Sequence, residues 1–163
     1  MHWSLQFRPA LFERSLAGLE WVARKRGRQA LLAPHLQAGA AGETAAYFYL
    51  ANKGYLVVER GWTSRSQRGD LDLIAWQGTL LCFVEVKTRT ARDNSPAEIR
   101  VDAHKRTILR RLARQYMHQL PQETYPQVRF DVISVYLVPG KQKEIVHFEN
   151  AFGWQERRED EWR

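Results

Sequence analysis

The sequence predicts an α/β domain: a mixed β-sheet of about five strands flanked by helices. Two observations carry this reading. Apolar residues alternate or run together in short segments near 55–60, 70–89, 128–138 and 144–149, as in half-buried strands. They recur at helical spacing near 39–52 and 102–119 instead. The resulting order is helix, three strands, helix, two strands, which suits a sheet layered between helices.

Size and composition agree with one packed unit plus tails. The chain has 163 residues, 44% of them apolar and 12% aromatic, enough for a core and too much for a disordered or collagenous middle. The single cysteine, Cys82, excludes an internal disulfide and a Cys-rich zinc site. Set among Leu80, Val84 and Val86, it reads as a buried structural thiol. Near the start, Arg8, Glu13 and Arg14 interrupt any signal-like apolar run. Thr79 to Val86 is too short to span a bilayer and contains Glu85. A cytoplasmic protein with no membrane partner is therefore expected. The net charge of +7 favours a polyanion, nucleic acid before anionic membrane.

The elements follow in order. Residues 1–38 read as an appendage in which Pro9 opens a helix over Leu11 to Ala23, followed by the basic "RKRGR". Residues 39–152 read as the domain itself. Gly39 to Asn52 is predicted helical and stopped by Gly54, and "YLVVER" is a strand. "GWTSRSQRG" is a polar loop, and a hairpin turning at Gln77-Gly78 follows. Asp102 caps a helix to Gln119 with the stripe Ile108, Leu109, Leu112, Ala113, Tyr116 and Met117. "VRFDVISVYLV" and "EIVHFE" are the last two strands, and 153–163 is a charged tail.

The hairpin poses the functional question, because Asp70, Asp72, Glu85 and Lys87 stand inside it. Alternation puts Asp70 and Asp72 on one face of their strand, with Leu71, Leu73 and Ala75 on the other. On the next strand Glu85 and Lys87 share a face, and the turn sets Asp72 level with Glu85 or Val84. Glu43 lies on the buried stripe of its helix with Ala46, Tyr47 and Leu50. Lys105, three and four residues before Ile108 and Leu109, points toward the core. Such a cluster suits metal-assisted phosphodiester hydrolysis. Asp72 and Glu85 are the candidate ligands for Mg²⁺ or Mn²⁺, with Asp70 and Glu43 as outer ligands or supports. Lys87 is the candidate for orienting water or offsetting charge. Each residue also has a plainer account: a solvent-facing Glu85–Lys87 pair, or Glu43 favouring a helix N-terminus. Their coincidence in one basic chain singles out the site. Arg68-Gly69-Asp70 spells an adhesion tripeptide, set aside because its Asp opens a strand.

The constellation Glu…Gly-Asp-Leu-Asp…Glu-Val-Lys resembles the PD-(D/E)XK nuclease superfamily. The longer blocks "GETAAYFYLANKGYLVVER", "GDLDLIAW", "FVEVKTRT", Lys105, "RFDVISV" and "NAF" resemble the YraN family of small bacterial proteins over roughly Gly39 to Phe152. That resemblance implies a restriction-endonuclease-like sheet similar to archaeal Holliday-junction resolvases, a nucleic-acid-binding face and a divalent metal site. It places Glu43, Asp70, Asp72, Glu85 and Lys87 at the acid and lysine positions. Two departures stand out: Asp70 occupies a position where the family usually has Glu, and "GWTSRSQRG" replaces a shorter Asn-x-Arg stretch.

Arg65, Arg68, Arg89 and Arg92 flank the carboxylates, while Arg106, Arg110, Arg111 and Arg114 form a basic strip at helical spacing. Arg65, Arg68, Arg89, Lys105, Arg106 and Arg110 are the expected nucleic-acid contacts, each phosphate neutralised adding roughly −0.9 to the log–log salt slope. Trp62 and Trp76 are candidates for stacking on an unpaired base. The expectation is a metal-dependent endonuclease acting on DNA rather than RNA, by structure rather than sequence, in repair or recombination. Cutting two strands symmetrically would suit a homodimer. The alternatives are a non-cleaving nucleic-acid-binding module of the same fold, and an acidic-site protein unrelated to DNA.

Overall fold

The computed structural model describes residues 34–91, 101–121 and 125–155. The expected helix over Leu11 to Ala23, Arg92 and most of the charged tail lie outside these residues. In chain order the elements are α1 (Pro34–Asn52), β1 (Leu56–Thr63), β2 (Asp70–Gln77), β3 (Leu80–Arg89), α2 (Ala103–Met117), β4 (Gln127–Tyr136) and β5 (Glu144–Phe152). The strands form one sheet in the order β1-β2-β3-β4-β5. Only the β3–β4 pair is parallel. The connection carrying α2 makes that parallel pair possible, since parallel neighbours need a long crossover.

Each helix covers one face. Ala45, Ala46 and Leu50 of α1 pack with Tyr55, Leu73, Ala75, Cys82, Val84, Ile133 and Val135. Leu109, Leu112 and Ala113 of α2 pack with Ile74, Leu81, Phe83, Phe130, Val132 and Phe152 on the other face. Cys82 is fully buried, as its neighbours predict. Leu71 departs from the expected alternation and joins the α2 cluster, next to Gly69 packed against Ile108 and Leu112.

Three boundaries move from their expected places. Helix α1 begins at Pro34, five residues before Gly39, because proline's fixed φ suits a first helical turn. Strand β1 runs on through Trp62 and Thr63, which pair with Leu71 and Asp70. Gly61, at φ +59°, lets the strand continue where composition suggests a loop. Strand β5 extends to Phe152, three residues past Glu149.

Gly42 sets how closely α1 lies on β3. A Cβ there would overlap Thr88 Oγ1 and meet Thr88 Cβ at 2.9 Å, which no rotation of Thr88 relieves. Alanine normally favours a helix over glycine by about 1 kcal/mol. Overpacking costs about 1–3 kcal/mol and outweighs that gain. Gly42→Ala is therefore expected to lower the urea midpoint; a midpoint raised above wild type would show that α1 shifts freely.

Candidate functional site

The hairpin builds the centre of the site. Residues Leu73 to Gln77 pair with Val84 to Leu80, and continuing that register sets Asp72 opposite Glu85. The Val86 N–H donates to Asp72 Oδ2 at 2.6 Å, locking the carboxyl onto β3. Glu85 is only 4% exposed yet ionically paired twice. Lys87 Nζ lies 2.9 Å from its Oε1, and Lys105 Nζ lies 3.1 Å from its Oε2. Lys105 Nζ also stands 3.9 Å from Asp70 Oδ1. It reaches there from the first turn of α2, where its N–H donates to the capping Asp102 Oδ1 at 2.8 Å.

Two carboxylates this close cannot both ionise freely. Burial, then the charge of Glu85, pushes the Asp72 carboxyl up to about 7; the Val86 N–H and Lys105 pull the other way. For Lys105, burial alone would depress the amine. The Glu85 charge and hydrogen bond outweigh it, and the amine is raised. Lys105 thus supplies the positive charge that the carboxylates lack.

The structure brings Asp70, Asp72, Glu85, Lys87 and Lys105 together on the α2 side of the sheet. Glu43 sits on α1, where its charge helps to hold up Arg60, a group depressed to about 10 chiefly by burial. Arg65 and Arg68 are exposed and Arg89 and Arg106 half-buried. Arg110 leaves the basic strip. It is 7% exposed, its Nε donates to Gly153 O at 2.8 Å and its guanidinium covers Phe152, so it ties α2 to β5. Trp62 and Trp76 both pack on the α2 cluster, Trp62 edge-on to Tyr116 at 5.5 Å. Both are half-buried against that cluster.

One charged network escaped the sequence reading. Arg129 grips fully buried Asp131 with both Nε and Nη2 at 2.8 Å. His147 Nε2 lies 3.0 Å from Asp131 Oδ2, and the Asn150 N–H donates to Oδ1 at 2.9 Å. Tyr55 and Glu149 close the network on Arg129. Asp131 inside "RFDVISV" is the same kind of signal as Asp72: a charge in the middle of an apolar strand. The network lies on the α1 face, opposite the hairpin carboxylates.

Among the described residues no group of three or more His, Cys, Asp or Glu side chains is arranged to hold a metal ion. Mg²⁺ does not require one, since it commonly takes one or two carboxylates plus waters and phosphate oxygens. Asp72 and Glu85 fit that need: their mutual repulsion is what a divalent cation relieves. No helix among the described residues is long and apolar enough to cross a membrane.

A five-stranded mixed sheet with a helix on each face, carrying charged groups inside its central hairpin, belongs to the restriction-endonuclease-like class of α/β folds. Residues 42–135 match the model of "Uncharacterised protein family UPF0102". A UPF0102 protein of Koribacter versatilis is 46% identical over 118 residues, 72% of this chain and 80% of that protein. One from Rhodococcus jostii is 40% identical over 122 residues, 74% of this chain and all of that protein. The chain belongs to the UPF0102 family.

Proposed function

We propose that the protein is a metal-dependent endonuclease of the PD-(D/E)XK kind, hydrolysing phosphodiester bonds in DNA by structure rather than sequence. The observation that carries this is the facing pair Asp72 and buried Glu85, with two lysine amines on the latter. Asp72 and Glu85 would hold Mg²⁺ or Mn²⁺, with Asp70 beside them. The ion supplies Lewis acidity toward a phosphoryl oxygen and an acidified water. Lys87, fixed on Glu85 Oε1, is positioned to orient that water or offset developing charge. Lys105 is held where it can meet a phosphate once Glu85 is otherwise neutralised. Arg65, Arg68, Arg89 and Arg106 supply counter-charge for the DNA backbone, and a basic chain offsets the repulsion of phosphate by carboxylates.

A second reading has its own support. Lys105 bridges Glu85 and Asp70, so the carboxylates are compensated without a metal. A protein that binds branched or broken DNA and cuts none would keep the same geometry.

Manganese binding followed by electron paramagnetic resonance tests the metal proposal. Affinity should rise as pH passes through about 7, because Asp72 must lose its proton to ligate. Glu85→Gln should cut affinity and move the dependence to lower pH, since the neighbouring charge is gone. Wild-type affinity in Glu85→Gln would refute the assignment of Glu85 as a ligand.

A further inference from the structure

Three neighbouring clefts share walls around the C-terminal end of α2. One is lined by Thr63, Ser64, Arg65, Ser66, Gln115 and His118, at about 470 Å³. His118 also lines the next, about 410 Å³, with Arg114, Met117, Tyr125 and Trp154. Met117 and Trp154 continue into the third, about 570 Å³, with Arg129 and Asn150. Each is of ligand-pocket size.

We propose that this groove binds a single-stranded segment of nucleic acid, an inference that rests on the nuclease reading and extends it to the substrate's strand state. Aromatic faces interleaved with arginines are what unpaired bases and their phosphates require. Tyr125 is 59% exposed, a large ring left facing solvent. Trp154 is braced edge-on against Phe130 at 4.9 Å, and the Arg114 guanidinium stands 5.6 Å from its ring. At the other end Gln115 Nε2 donates to Ser66 Oγ at 2.9 Å and Ser66 N–H donates to Ser64 Oγ at 3.2 Å. That anchoring presents exposed Arg65 over the first cleft. The C-terminus of a helix repels anions. Arg114 in the last turn offsets that repulsion.

The helix also sets a distance. From Lys105 beside the carboxylates to His118 is thirteen residues, or roughly 20 Å along α2. The substrate is therefore DNA with an unpaired arm of about that length beside the scissile bond.

The test is fluorescence anisotropy of the full chain with labelled oligothymidylate of roughly twelve residues, within the range of single-strand site sizes, in EDTA so that nothing is cut. Tyr125→Ala and Arg114→Ala should each weaken binding about fivefold or more while leaving the melting temperature unchanged, as both side chains are exposed. Unchanged affinity in both groove variants, or equal affinity for the same oligonucleotide in duplex form, overturns the inference. So does equal affinity for polyglutamate, which would show charge attraction alone. The two readings fail separately: lost cleavage chemistry leaves this binding intact, and a groove that binds nothing leaves metal-dependent cutting of duplex intact.

Discussion

Asp131→Ala is expected to destabilise the fold by about 3–5 kcal/mol, the range for removing one partner of a buried ion pair. Arg129 is only 13% exposed and would keep Glu149 but lose both of its bonds to Asp131. His147 would lose its Nε2 partner while its Nδ1 is already buried without one. The Asn150 N–H would lose its acceptor too, at a residue held at φ 53°. Against a total stability of about 5–15 kcal/mol this is a large share. It corresponds to a fall of roughly 6–20 °C in melting temperature for a domain of this size, read by circular dichroism. A fall under about 2 °C would show that the network contributes specificity of pairing and little stability.

The same carboxylate fixes the sign of the acid response. Burial opposes ionisation of Asp131, but the His147, Arg129 and Asn150 hydrogen bonds outweigh it and hold the group below the usual carboxylate range. A depressed folded value adds stability above the unfolded value of about 4, and that stability is lost as pH falls below it. Wild type should lose stability steeply below about pH 4 and Asp131→Asn less steeply. Parallel profiles would contradict this assignment.

Much of this was legible because strands leave few choices. The period of two, the Gln77-Gly78 turn and the apolar runs place Asp72 level with Glu85 or Val84, and the helix stripe turns Lys105 inward; the register then settles on Glu85. Arg110 was misread for the opposite reason. Helical spacing groups it with Arg106 and Arg114, but only the return of β5 as far as Gly153 supplies the carbonyl that draws it in. Start positions were lost to local composition. Gly39 looks like a helix start, whereas α1 begins at Pro34, and Gly42 inside it allows the close approach to Thr88. Asp131 carried the right signal, but its partner His147 comes from β5, and Tyr55, which accepts from Arg129, comes from the entry to β1, a convergence no local pattern shows. Glu43 on α1 is within electrostatic reach of Arg60.

The second large effect concerns the carboxylates. Asp72→Ala removes the side chain locked on the Val86 N–H, and Glu85→Ala removes the group that gathers Lys87 and Lys105. Each should reduce cleavage by more than about a hundredfold, beyond the 10–100-fold cost of losing an outer-shell partner. Lys105→Ala should weaken DNA binding and cleavage less, since its amine compensates charge that a metal can also compensate.

The most direct measurement is cleavage of labelled junction, flap, duplex and single-stranded DNA with Mg²⁺ or Mn²⁺, wild type beside Asp72→Ala and Glu85→Ala. The account predicts metal-dependent products from wild type, most from substrates with an unpaired arm, and none above background from either variant. Products that persist in both variants, or DNA binding by all three proteins with no cleavage under any metal, would contradict it.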